Sequence, residues 1–167
     1  MSDIYRVVEN LSLLFLYKGD EIMREKMIQM TNNNIGVVNA NAFIPLGTIT
    51  RRIDCGNCCS AFTISSSNTD TITINEEGYY KITYSITDLA TAVGLNSITL
   101  VVNGTDTYTV GETVAVAGDA IDLTLPYVVR VFKRCDNVAT NNPMTIQIRA
   151  DEAITSATAN IIIERIY

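Results

Sequence analysis

From Thr71 onward the chain repeats one pattern: a short run in which branched apolar residues alternate with polar ones, then a turn. "TITI" (Thr71–Ile74), "YKITYSIT" (Tyr80–Thr87), "SITLVVN" (Ser97–Asn103), "IDLTL" (Ile121–Leu125), "TIQIRA" (Thr145–Ala150) and the closing "ANIIIERIY" all follow it. A period of two gives each run one apolar face, and Thr, Val, Ile and Tyr suit a pleated, half-buried surface. Between the runs stand "EEG" before Tyr79, "NGTD" (Asn103–Asp106), "AGD" (Ala117–Asp119) and "TNNP" before Met144. These are residues that turn a chain. Short strands at this spacing, with no helical pattern between them, predict an all-β antiparallel sandwich.

Ahead of the strands the pattern differs. Ile4, Val8, Leu11 and Phe15 fall on one helical face, and Met23, Met27 and Met30 repeat that spacing. Gly19 separates the two pieces and Asp20 can cap the second. The expectation is an α-helical segment from Ile4 to Met30, followed by a polar linker, "TNNNIG" (Thr31–Gly36). Residues 1–34 then form a helical anchor or oligomerisation segment with its linker, and residues 35–167 form the sandwich. Leu13, Leu14 and Leu16 spread apolar surface around the first piece, so it has to be covered by copies of itself, by another protein or by its own domain. Ile4, Val8, Leu11, Phe15, Met23 and Met27 are the candidate anchoring residues.

"LSLLFLY" (Leu11–Tyr17) is far shorter than the roughly 20 apolar residues of a membrane-spanning helix. Asp3 and Glu9 precede it where a signal peptide would be basic, and no small-residue cleavage site follows. The expectation is assembly in a cytoplasm with no membrane partner. A chain of 167 residues suffices for one core-forming domain. Its charged residues make up 18%, below the roughly 25% of ordinary soluble domains, which points to surface hidden in an oligomer. The net charge of −6 and the absence of a Lys/Arg stripe along the sequence argue against a nucleic-acid partner.

"GYYKITY" places Gly78, Tyr80, Ile82 and Tyr84 in the order Gly-x-Tyr-x-apolar-x-aromatic, with Ile72 six residues before the glycine. This resembles the signature strand of the trimeric jelly rolls typified by tumour necrosis factor and the head of the first complement component. "IPLGTITRRIDC" (Ile44–Cys55), the "LVVNGT" hairpin and "LPYVVRVFKRCDN" (Leu125–Asn137) extend the likeness to the small trimeric fibre or head-domain proteins of bacteriophages and prophages. The resemblance covers Ile44 to Tyr167 and implies a TNF-like jelly roll. It implies a homotrimer with Gly78, Tyr80, Ile82 and Tyr84 along the threefold axis, and no enzyme activity. The implied role is a structural virion protein, a head fibre or capsid decoration, assembled in the host bacterial cytoplasm and anchored to the capsid or another virion protein by its N-terminus. The alternative is a receptor- or glycan-binding adhesin tip on a tail fibre or on a bacterial or spore surface, with a host-surface glycan as partner. Members of this group with a long stalk differ from this chain, which has only the Ile4–Met30 segment in that place.

"RRIDCGNCCS" (Arg51–Ser60) places Cys55, Cys58 and Cys59 close together, and Cys135 follows the similar "VFKRCD". If both runs end at one rim of the sandwich, the cysteines can meet. Structural thiols or disulfides, disulfides between subunits formed after lysis, and a tetrahedral zinc site remain open, the first preferred. Basic neighbours favour the thiolate in each case. A catalytic thiol lacks its usual base, because the chain has no histidine. The carboxylate pairs Glu76–Glu77 and Asp151–Glu152 are adjacent in sequence, so on a strand they point to opposite faces and do not converge on one substrate atom. "NGTD" and "AGD" are too sparse in acids for a dedicated calcium site. No catalytic residue and no cofactor is expected.

Overall fold

The computed structural model describes residues 25–54, 60–65, 68–90, 93–132 and 143–166. Its strands are β1 (Met27–Ile35), β2 (Thr48–Ile53), β3 (Phe62–Ser65), β4 (Asn68–Ile74), β5 (Gly78–Ala90), β6 (Gly94–Val102), β7 (Thr105–Val114), β8 (Ala120–Val131), β9 (Met144–Ala150) and β10 (Ala157–Arg165). The order β2-β1-β10-β5-β8 makes a first five-stranded sheet and β3-β4-β9-β6-β7 a second. Neighbouring strands pair antiparallel in both. From β4 onward the chain passes back and forth between the sheets, with only β6 and β7 joined as a hairpin within one. This is jelly-roll winding.

The expected alternation is what closes the sandwich. Tyr80, Ile82, Tyr84 and Ile86 of β5, Ile161 and Ile163 of β10 and Leu125 of β8 turn inward and are buried. They meet Phe62, Ile72, Ile74, Ile98, Leu100, Ile146 and Ile148 of the second sheet in one hydrophobic core. Phe62 stands edge-on to Tyr80, with ring centroids 5.8 Å apart and planes at 80°. Tyr108 and Tyr127 close the side between β7 and β8, their rings stacked at 5.6 Å.

The helical reading is corrected at its C-terminal end. Met27 to Met30 belong to β1, which is hydrogen-bonded on both sides, to β2 and to β10. Ile28 and Met30 are buried in the core while Met27 and Gln29 are half-buried on the other face. Two flanking ladders and a period-two apolar face outweigh the three-residue methionine spacing. The linker reading falls with it, since Thr31 and Asn32 pair with Asn160 and Ala159. The sandwich therefore begins by Met27, ahead of the expected boundary. Ile4, Val8, Leu11, Phe15 and Met23 lie outside the described residues.

The chain between β1 and β2 is held firmly. Ala42 and Ile44 exchange backbone hydrogen bonds with Ala150 and Ile148, continuing the second sheet beyond β4. Gly47 then enters β2 at φ +85°, so close to β1 that a Cβ there would lie 2.2 Å from the carbonyl oxygen of Thr31.

The register fixes the two ends of the sandwich. β1 begins, β2 ends, β5 begins, β8 ends and β10 ends at one of them, called here the base. The opposite end, the crown, carries the β5–β6 and β7–β8 connections and the segment between β9 and β10.

Candidate functional site

Gly78 opens β5 opposite Val131 at φ +150°, a backbone angle that favours glycine. The three residues expected with it on a trimer axis are elsewhere. Tyr80, Ile82 and Tyr84 are at most 1% exposed within the single chain, and this corrects their expected position on a seam between chains. The signature marks the face of β5 that the core claims, because the pleat sends alternate residues to opposite sides. The Tyr80 hydroxyl donates to the carbonyl oxygen of Glu76 at 3.1 Å. Burial pushes its pKa up to about 12, with Arg165 pulling it down and Glu76 and Asp54 adding to the rise. Burial also raises Tyr84, whose Oη has no partner among the described residues.

The face that β5 does present to the outside is the other one, with Tyr79, Lys81, Thr83, Ser85 and Thr87. Ile162 and Asn160 flank it on β10, and Thr124, Pro126 and Val128 flank it on β8. Lys81 and Glu164 form an ion pair at 3.0 Å toward the base. Beyond that pair the middle of the face is neutral and built of short side chains. Gln29 donates to Asn160 at 3.0 Å, and the Thr87 and Thr158 hydroxyls lie 2.6 Å apart. Thr31, Asn33, Ser85, Thr87, Thr158 and Asn160 line a shallow hollow of about 130 Å³.

The base gathers charge from distant parts of the sequence. The buried Lys26 ammonium donates to the Glu76 carboxylate, which also faces Arg165 at 3.8 Å. Arg52 pairs with Asp54 at 3.1 Å and donates to the Phe62 carbonyl at 2.6 Å. The Arg130 guanidinium lies over Tyr79 and Phe132, 5.5 and 5.7 Å from the ring centroids. Arg130, Arg165, Glu77 and Tyr79 border an open cleft of about 280 Å³.

One member of each acidic pair is used structurally. Glu76 is engaged as described, and Glu77 lines the cleft with Arg130 and Arg165. Asp151 accepts from Ser97 at 2.7 Å and Thr99 at 2.8 Å, and Arg149 bridges it to Asp106. In the "NGTD" turn, Asn103 Oδ1 accepts from the Thr145 amide at 2.7 Å. Among the described residues, acidic side chains do not gather into a metal-ligand set. Cys55, Cys58, Cys59 and Cys135 lie outside the described residues. The strands leading to them, β2 and β8, end at the base but on opposite edges of the first sheet.

Sequence reasoning missed the neutral outer face and the cluster at the base. The first was encoded in the opposite phase of the same β5 pattern. The second joins Lys26, Glu76 and Arg165, which nothing local connects.

Strand order, winding and core together define an antiparallel jelly-roll sandwich. No protein-family model matches the chain, and no curated protein matches it in sequence. Solved structures do match. The globular domain of zebrafish complement 1qA superposes with a TM-score of 0.60 at 9% identity, covering 86% of this chain and 98% of that one. Eiger TNF from S. frugiperda gives 0.65 at 7% identity, covering 86% and 92%. The PRD1 vertex protein P5 gives 0.55 at 13% identity, covering 85% and 97%. At these identities the likeness shows the fold.

Proposed function

We propose that this chain is a structural protein of a bacteriophage particle: a homotrimeric head fibre or capsid decoration that displays its jelly roll and is anchored through its N-terminal segment. The observation that carries the reading is the outward-facing, half-buried and uncharged middle of the first sheet, around Thr83, Ser85, Asn160 and Ile162. An outer face whose middle lacks charge, with Arg51 and the Lys81–Glu164 pair at its margins, is suited to meeting copies of itself, and closed threefold contact would remove it from water. The resemblance of "GYYKITY" and its companion segments to phage head-domain proteins directs the reading to a virion, and the PRD1 vertex protein shares the fold. The anchor, Ile4, Val8, Leu11, Phe15 and Met23, would leave from the base, where β1 begins. The engaged carboxylates Glu76 and Asp151 fit a protein that displays rather than catalyses. Labelling intact particles with an antibody to the domain, together with light scattering of the purified chain, tests both halves. Particle-bound label and a mass of three chains are expected. Label absent from particles, or a mass of one chain, overturns the reading.

The alternative is a receptor-binding tip, and one observation favours it. Val37, Val93, Leu95 and Val116 are exposed at the crown, away from the base. Soluble protein that blocks adsorption of particles to host cells would move the reading to attachment.

A further inference from the structure

Three large apolar side chains that the fold leaves exposed are neighbours at the base. Tyr79 is 42% exposed, Val128 51% and Ile166 47%. The register gathers them on the outer face of the first sheet. The Ile166 amide donates to the Tyr79 carbonyl at 2.8 Å, Tyr79 stands opposite Arg130, and Val128 stands opposite Lys81 on the next outward position of each strand. Half-buried Met27 adds to the same face from β1, across Glu164. Beside them opens the cleft of about 280 Å³ bordered by Tyr79, Arg130, Val131 and Arg165, with room for one aromatic side chain. Charge does not choose an occupant here. Lys81 is paired with Glu164, Arg130 and Arg165 share the cleft with Glu77, and Glu25 is exposed where the described chain starts. What remains without a counterpart is apolar surface.

We infer that this patch is the docking surface for the chain's own N-terminal segment, Leu11 to Tyr17. Continuity of the chain selects that occupant. The Lys26 carbonyl accepts from the Arg165 amide at 2.8 Å, and Arg165 borders the cleft, so the residues ahead of Glu25 set out from the edge of the patch. "LSLLFLY" carries no charge and is the stretch of residues 1–24 that most needs cover. The reach suffices. An extended chain from Tyr17 to Glu25 spans up to about 26 Å, whereas three strand spacings, from β1 across β10 and β5 to Val128 on β8, come to about 14 Å. Docking takes two apolar surfaces out of water in one contact, and the tether holds the segment at high effective concentration. The patch lies at the base, apart from the uncharged middle around Ser85 and Asn160, so it is filled whether or not that middle meets other copies. A segment held this way is covered in the free chain, and only a partner that binds it more tightly than the base does draws it off.

The inference does not rest on a place in a virion or on a trimer, and its test is separate from particle labelling. The chain has no tryptophan, so Phe15→Trp gives the full chain one reporter inside the segment. Its emission is expected at short wavelength and shielded from acrylamide. Val128→Glu and Ile166→Glu, each made on this background, should move the emission to the red and raise acrylamide quenching several-fold, with circular dichroism and light-scattering mass unchanged. Leu95→Glu, at a likewise exposed apolar site on the crown, should alter neither emission nor quenching. Ile166 lies just beyond β10, so Ile166→Glu carries the test even if Val128→Glu disturbs folding. A reporter exposed from the outset, a shielded one that neither base variant releases, equal release by the crown variant, or release only together with a fall in mass overturns the proposal.

Discussion

The Tyr80 hydroxyl donates to the main-chain carbonyl of Glu76, and the Glu76 carboxylate in turn holds the buried ammonium of Lys26. One residue of the β4–β5 turn thereby joins the floor of the core to the start of β1. The tyrosine is neutral in this arrangement, and that sets how the fold responds to alkali. A free tyrosine ionises near the ordinary value of 10.0, whereas Tyr80 is pushed up to about 12 and Tyr84 is also raised, both by burial. Below pH 10 folded and unfolded chains keep these protons alike. Above it the unfolded chain loses them first, so stability declines as pH rises from about 10 to about 12. Urea denaturation across that window should show the decline, and Tyr84→Phe should flatten it.

Glu76→Gln is expected to be worse than Lys26→Met. The glutamine leaves a buried ammonium beside a neutral amide and costs about 2–3 kcal/mol. The methionine retains the packing of the lysine stem and leaves Glu76 facing Arg165, at a cost of about 1 kcal/mol. Equilibrium denaturation of both variants checks the order.

Gly47→Ala should destabilise the domain by about 2–4 kcal/mol, through a positive φ and a clash with backbone that has no rotamer to move. Thermal melting of the variant measures it. Gly36, whose missing Cβ would meet nothing within 4 Å, is the control and should tolerate alanine with little change.

Ser85→Glu combined with Ile162→Glu places charge in the middle of the neutral face. Both side chains point away from the core, so the fold should survive with its circular dichroism unchanged, and the proposed trimer through this face predicts that light scattering falls from the mass of three chains to that of one. Ile82→Glu, on the buried face of the same strand, should prevent folding.

The strands β4, β5, β6, β8, β9 and β10 were legible because each buries one face, and burial writes a period of two into the sequence; β7, exposed along nearly its whole length, was not. β1 was not legible. Its inward residues Ile28 and Met30 are flanked by Met27 and Gln29, and the methionine spacing mimics a helix until β2 and β10 supply the hydrogen bonds. β2 is exposed along nearly its whole length, so no core left a mark on "TITRRI". The "GYYKITY" motif located the right strand and the wrong side of it: a tyrosine in a strand tells that something covers it, not whether that something is its own second sheet or another chain. The cluster at the base was invisible for another reason. Lys26, Glu76 and Arg165 are brought together only by register, across three distant stretches of the sequence.

Strand direction also separates the two ends of the domain. Everything proposed to bind the rest of a particle leaves from one pole, while the Ala115–Asp119 turn and its neighbours occupy the other. Insertions or rapid sequence drift in that turn would leave the hydrogen-bonded ladders and the pole proposed for attachment undisturbed, so such a scaffold could change what it shows to its surroundings without renegotiating how it is mounted.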